Sequence, residues 1–435
     1  MVILRAIMKA QLVAVIFVVV VMLTPPTAFS AQRVSVVVNS RVSSLPTNYV
    51  PQTFVTGHDR ETISVGSIYE PGIFHSAIST AKLDRRGRTI WRADVTDGNH
   101  LPDVGRVVTI DAHGNVYVNG YSFREEPPGY TSITVKYSPD GQPFWTNRFE
   151  DLGEHYFMAT SIAADRAGNV AVTLAGQANH LLLKINSDGS AAWHKEFPRP
   201  SPPWGASAWG TYSVAFDSGR NVIAAGGGAS AGGGRLLKYD GDGSLIWSND
   251  LAEDYLLFGP AVVVGANDRI CVGVMAHQPI PFQKPYDPQP PQVPLAATLA
   301  ATQISLPDQY TWTIASYGND GIALWTNRIA VTGGMETPVL ATDSQGAVYA
   351  AGRRHYSASS SPYPKQSIQL TKFGADGRRK WGRETFLPPR LHWGVRFDRV
   401  TPKIVTLYTD ANGSTGEDGQ PAKWYPTHIA YRQGH

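Results

Sequence analysis

One interval governs what this chain can fold into. A lysine, an aromatic or apolar neighbour, a turn ending in Asp-Gly or a variant of it, and a tryptophan nine positions after the lysine recur along the sequence. The copies are Lys82-Leu-Asp-Arg-Arg-Gly…Trp91, Lys136-Tyr-Ser-Pro-Asp-Gly…Trp145, Lys184-Ile-Asn-Ser-Asp-Gly…Trp193, Lys238-Tyr-Asp-Gly-Asp-Gly…Trp247 and Lys372-Phe-Gly-Ala-Asp-Gly…Trp381. A further copy, Ser316-Tyr-Gly-Asn-Asp-Gly…Trp325, keeps the interval and replaces the lysine. Self-similarity of this kind is the signature of a repeat architecture, in which each unit buries its apolar face only against its neighbours.

A second motif alternates with the first: an apolar run, Asp-x-x-Gly, and another apolar run. It reads Val107-Val-Thr-Ile-Asp111-Ala-His-Gly114-Asn-Val-Tyr-Val-Asn-Gly120, with relatives around Asp165, Asp217 and Asp343 and weaker copies beginning at Val262 and Val395. Asp-x-x-Gly is turn chemistry, because Asp accepts bonds from the backbone just ahead of it and Gly takes the positive φ that closes a hairpin. Two hairpins per unit make a four-stranded blade. The almost wholly apolar run before the Asp predicts an innermost strand buried on both faces. The tryptophan, on the outer strand, is expected to pack against the next blade.

Counting inner strands predicts an all-β chain, a single seven-bladed β-propeller of four-stranded antiparallel blades. The blades fall near 62–95, 106–150, 159–197, 211–250, 260–329, 338–386 and 394–435. The last lacks an outer strand and a tryptophan, while Arg33-Val-Ser-Val-Val-Val38 is an apolar strand with no blade of its own. That strand is expected to complete blade seven and close the ring, pairing near Ile429 to Tyr431 and leaving no open edge. Six blades plus a tail is the alternative count. The insertion 276–311 holds Pro279, Pro281, Pro285, Pro288, Pro290, Pro291 and Pro294 and reads as an extended surface loop.

Residues 1–30 have the three parts of a secretory leader: Arg5 and Lys9, the apolar run Leu12 to Leu23, and Ala28-Phe29-Ser30, with cleavage expected after Ser30. The domain is then 31–435, secreted or held in the cell envelope, with no transmembrane segment in the mature chain. Removing Arg5 and Lys9 lowers the formal charge of +3 to +1, which gives no reason to expect nucleic acid as a partner. The one cysteine, Cys271, lies in an apolar run and reads as a core residue.

The alternating motifs resemble the bacterial β-propeller repeats called SBBP and are similar to the tryptophan-docking repeats of pyrroloquinoline quinone proteins. The resemblance covers most of residues 60–432. It implies an exported or cell-surface bacterial propeller and is poor for function. The quinone dehydrogenases of this look carry a vicinal cysteine pair that a chain with one cysteine cannot have. No cofactor is therefore expected.

On a propeller the Asp-Gly turns share one face, and the longer d–a and b–c connections share the other, where a scaffold usually presents binding groups. The residues chosen there are Tyr121, Trp204, Trp209, Arg353, His355, Tyr356, Arg390, His392, Trp393 and Trp424, aromatic platforms and charged groups suited to a glycan or a peptide. Trp209, which directly precedes Gly210 and a buried strand, is the one of these indoles expected to be structural. Metal ligation is not expected: Asp240 and Asp242 are accounted for by turn chemistry, and the histidines show no ligand spacing. The leading expectation is a non-enzymatic binding or scaffold propeller. The alternative is a carbohydrate-active hydrolase or lyase with its site in the mouth. It would draw on Glu125, Glu126, Glu417 and Asp418 as acids and on His355, Arg390 and His392 as bases or charge stabilisers.

Overall fold

The computed structural model describes the strands and their tight turns. Residues 1–33 and the segments 41–44, 47, 58–60, 70–74, 97, 99–101, 126–128, 151–157, 177–178, 199–211, 228–233, 252–255, 278–308, 333, 357–364, 388–390, 413–426 and 434–435 lie outside the description. The leader and the proline-rich insertion therefore fall there, as do Trp204, Trp209, Arg390 and Trp424.

Strand β1 is Val34–Ser40. The first blade is then β2 (Tyr49–Thr56), β3 (Thr62–Tyr69), β4 (Ser76–Leu83) and β5 (Thr89–Val95). The second is β6 (Asp103–Ile110), β7 (Val116–Arg124), β8 (Gly129–Tyr137) and β9 (Pro143–Phe149), and the third is β10 (Met158–Ala164), β11 (Val170–Ala175), β12 (Asn179–Ile185) and β13 (Ala191–Pro198). The fourth holds β14 (Ser213–Phe216), β15 (Val222–Gly227), β16 (Gly234–Tyr239) and β17 (Leu245–Leu251). The fifth holds β18 (Leu256–Val264), β19 (Ile270–His277), β20 (Gln309–Tyr317) and β21 (Ala323–Thr332). In the sixth the inner strand is broken into β22 (Gly334–Met335) and β23 (Val339–Thr342), followed by β24 (Val348–Tyr356), β25 (Lys365–Phe373) and β26 (Arg379–Phe386). The seventh is β27 (Leu391–Val400), β28 (Ile404–Asn412) and β29 (Thr427–Gln433), with β1 as its outer strand. The seven inner strands contact one another in a closed cycle, β2–β6–β10–β14–β18–β23–β27 and back to β2.

Ring closure follows the expected pairing. β1 runs antiparallel to β29 with Val34 opposite Gln433, Val36 opposite Tyr431 and Val38 opposite Ile429. Two features differ from the sequence reading. The first blade begins at Tyr49, because β2 precedes a turn with Gly57 in place of the usual Asp. The innermost strands are also not the buried ones. Most of β6 is half-buried, whereas β11 is buried throughout and the core of β7 likewise. An inner strand faces the channel on its free edge, so the apolar filling lies between blades, on the second and third strands.

The turn at the inner hairpin is built by one carboxylate. Asp111 Oδ1 accepts the backbone N–H groups of His113 (2.8 Å) and Asn115 (3.0 Å), and Oδ2 accepts the Asn115 amide (2.7 Å) and the Tyr117 hydroxyl (2.9 Å). Asp165 and Asp217 repeat the pattern with Asn169 and Asn221. In blade four the aspartate also meets the repeat lysine, with Lys238 Nζ 2.8 Å from Asp217 Oδ2 and both side chains almost wholly buried. Burial works against the Asp217 carboxylate, but bonds from Lys238 and Asn221 outweigh it and hold its pKa below the ordinary 3.8. Blade one replaces the Asp with Gly57 and reaches Lys82 from Glu61 instead, at 3.2 Å. Blade five has Gly265 in place of the Asp and Ser316 in place of the lysine, so both halves of the pair are absent together.

The tryptophans tie each blade to the next. Trp91, Trp145, Trp193, Trp247 and Trp325 donate their indole N–H to the carbonyls of Pro139, Ser187, Gly241, Asn319 and Ala375, at 2.9 to 3.1 Å. Each acceptor lies in the outer turn of the following blade. Lys82, Lys184 and Lys238 donate to three of the same carbonyls. The turn glycine lies under the indole: a Cβ on Gly189, where φ is +91°, would come within 2.8 Å of Trp145. That glycine serves two needs at once, the left-handed backbone and the close approach of a ring.

Two outcomes check this account. Deleting residues 34–40 should strip the outer strand from blade seven and lower the melting temperature by well over about 5 °C, read by circular dichroism. Asp217→Asn should strand the buried Lys238 charge and cost about 3–5 kcal/mol near neutral pH. Because the folded pKa lies below the unfolded one, the carboxylate's contribution is complete above about pH 4 and is lost as pH falls through the folded value. The variant's stability should therefore depend less on pH across the acid limb, measured by denaturant titrations from neutral pH downward.

Candidate functional site

The seven inner strands enclose a channel of about 440 Å³. At the fourth rung from each inner turn, one residue of every inner strand lines it: Thr53, Val107, Ser161, Ser213, Ala261, Val339 and Arg396. Just above this rung the inner ladder is interrupted in every blade. Gln52, Arg106 and Thr160 are the extra residues of bulges in β2, β6 and β10. β18 and β27 also shift register there, β23 is separated from β22, and β14 begins at its ring residue. Bulges re-aim side chains and are common beside binding sites.

The ladder can break there because the second strand gives way. A Cβ on Gly66 would lie 2.0 Å from the Val50 carbonyl oxygen, and one on Gly120 would lie 2.3 Å from that of Val104. Two ring hydroxyls tie blades together: Ser161 accepts the Val214 N–H at 3.3 Å and Ser213 the Val262 N–H at 3.2 Å. The channel lining contains no carboxylate among the described residues, and none of them form a cluster able to hold a metal ion. A larger cleft of about 650 Å³, between β17 and blade five, is part of the Trp247 seam, where Asn249 donates to the Gly321 carbonyl at 2.6 Å.

Of the residues chosen from sequence, Tyr121 stands half-buried at the open end of β7. Its ring packs edge-on against Tyr130 at 4.8 Å and Phe123 at 5.9 Å. Burial pushes its phenol up, with Tyr69 adding to the effect and Arg106 opposing it. Arg106 donates to the Gln52 side-chain oxygen at 3.3 Å, so Gln52, Arg106, Tyr69 and Tyr121 form one group across blades one and two. Tyr69 is 41% exposed.

Arg353 does not present itself to solvent. It is buried in β24 and ion-paired with Glu336, whose backbone carbonyl accepts the Trp312 indole N–H at 3.0 Å. It thus spans the break in the sixth inner strand, and an uncompensated guanidinium there would be costly to bury. His355 and Tyr356 lie on β24 opposite Gln366 and Lys365, and His392 and Trp393 on β27 opposite Ala411 and Asp410. These backbone positions share the face that carries Tyr121. Glu125 is exposed beyond β7, and Glu126, Glu417 and Asp418 lie outside the described residues. Sequence reasoning missed Gln52, Arg106, Thr160 and Arg396. For Gln52 and Arg106 the available signal was the glycine near the end of the second strand, Gly66 and Gly120, since an interior strand glycine marks a bulge or a close approach; β11 and β28, the second strands beside Thr160 and Arg396, hold no such glycine.

No protein-family model matches the sequence, and no curated protein matches it. Solved structures align at low similarity. The WD40 domain of SCAP from fission yeast is 11% identical, covering 95% of this chain and 97% of that one, with a TM-score of 0.38. A europium-containing methanol dehydrogenase is 8% identical over 92% and 94%, with a TM-score of 0.41. The NanB sialidase from Streptococcus pneumoniae is 10% identical over 89% and 69%, with a TM-score of 0.42. Enzymes and a non-enzyme domain stand side by side at these scores, so no activity carries over; the sheet topology alone defines the class, a seven-bladed β-propeller.

Cys271 can be set apart from the site. It is fully buried, and burial pushes its thiol up to about 11, with Ser316 and Arg269 only partly opposing. A thiol reagent at neutral pH should label it on unfolding and not before; labelling in the native ring within minutes would contradict its core role.

Proposed function

We propose that the mature chain is an exported, non-enzymatic binding propeller whose ligand, a glycan, is taken at the channel mouth. One observation carries this reading. Blades one to six all keep the docking indole and the outer-turn glycine, and four of the seven inner turns keep the aspartate, yet the seven ring positions are Thr, Val, Ser, Ser, Ala, Val and Arg. The indole-to-turn contact constrains five seams to one geometry; the ring positions carry no such repeated residue, even where Ser161 and Ser213 bond the next blade's backbone, and form an individual surface. Its hydroxyls, with the half-buried Tyr121 nearby, suit sugar hydroxyls and a sugar's apolar face.

Export is supported by Arg5, Lys9, the apolar run Leu12 to Leu23 and the small residues before the expected cleavage after Ser30. No helix of the described residues is long and apolar enough to cross a membrane. The resemblance of the Lys…Asp-Gly…Trp repeats to the bacterial SBBP propellers supports the same setting. Full-length protein expressed with its leader should appear outside the cytoplasm beginning at Ala31, read by N-terminal sequencing. On a glycan array it should retain a defined set of sugars without altering them; turnover of any retained sugar, or retention of none, would remove the proposal.

A further inference from the structure

Arg396 is the charged member of a ring that is otherwise neutral; it is an exposed residue lining the channel, and its Nη1 donates to the Val395 carbonyl at 3.2 Å. Arg106 stands one rung higher, in the bulge of β6. The strand between β27 and β6 in the ring is β2, which supplies Thr53 and the bulged Gln52. Two guanidiniums thus sit on three consecutive inner strands, while the opposite wall offers Ser161, Ser213, Ala261 and Val339. Asp103, also on β6, is buried. Arg106 is already oriented by the neutral Gln52 amide, and it acts electrostatically on Tyr121.

A one-sided cationic rim focuses its field on a small anion, and a guanidinium binds a carboxylate through paired, directional hydrogen bonds. The geometry points to an acidic sugar as the ligand: a uronate residue whose carboxylate is held by Arg106 and Arg396 and whose ring lies towards Tyr121. A sugar is favoured over an acidic peptide because hydroxyls recur around the channel at Thr53, Thr160, Ser161 and Ser213 beside small apolar side chains, a mixed surface that matches a sugar's hydroxyls and its apolar face, with Tyr121 near the mouth. This inference rests on the glycan reading above and narrows it to one charge class.

The test is calorimetric titration of the full mature chain, at low salt, with trigalacturonate, its methyl ester and triglutamate. Trigalacturonate should bind, and the ester, which keeps the sugar and loses the charge, should bind about tenfold more weakly or worse. The double variant Arg106→Gln, Arg396→Gln should lose about tenfold or more for the acid and little for the ester, with an unchanged melting temperature. Arg106→Lys, Arg396→Lys keeps the charge and should recover part of the loss, separating electrostatics from packing. Equal affinity for acid and ester, or a double variant that binds as the parent does, would overturn the inference and leave the glycan reading standing. Triglutamate binding without trigalacturonate would replace the sugar by an acidic peptide, and silence from all three together with an empty glycan array would remove both proposals.

Discussion

The indole that leaves one blade and ends on the turn of the next is the contact on which the ring depends. A four-stranded blade cannot bury its own faces, so it is stable only against neighbours. The repeat solves this with a single acceptor. One turn carbonyl receives the tryptophan N–H of the preceding blade and, in three seams, the lysine of the same preceding blade. The glycine beneath the ring removes the side chain that would hold the two apart. Each bond is worth only about 1 kcal/mol net. What makes the seam decisive is that indole, lysine and turn are positioned by strands on both sides, so it forms only when the two blades are in register.

The seams that break the pattern are informative. Trp381 is 7% exposed, packs near Tyr349, and its indole nitrogen has no hydrogen-bond partner among the described residues. Blade seven has no Asp-Gly outer turn to offer it, since the outer strand comes from the other end of the chain. The contact there passes to the Tyr431 hydroxyl and Thr385, at 2.8 Å, and onward to Phe54 stacked obliquely on Tyr408 at 3.8 Å. Blade five shows the other kind of change. With Gly265 and Ser316 in place of the charged pair, Cys271 packs where its equivalents in blades two and six are the tyrosines Tyr117 and Tyr349. Losing a buried charge and its partner together costs far less than losing either alone.

Most of the scaffold could be read from the sequence because the same turn and docking residues recur in most copies. The nine-residue interval fixes the outer hairpin, Asp-x-x-Gly the inner one, and the unpaired apolar strand from Val34 the closure. β2 was illegible because its turn uses Gly57 and Glu61 and its strand contains Pro51. The site was harder for a related reason. Arg106 and Arg396 look like ordinary surface charges in sequence, and only the bulges and the ladder register bring them to one rim. Arg353 shows the converse: it resembles a loop ligand in sequence, and a strand carried past Gly352 buries it against Glu336.

Closure by β1 also sets an order of assembly. Blades one to six are each made from a contiguous stretch of chain, so each can form as soon as that stretch exists. The seventh joins Val34 to Gln433, nearly the full length of the sequence apart. The entropy of closing so long a loop grows only logarithmically with its length, but contacts this remote in sequence form late. The first strand made must wait for the last, and the half-built ring carries an unpaired edge at each end until they meet. A ring assembled in this way should also come apart in reverse, parting first at the blade whose strands belong to both ends of the chain.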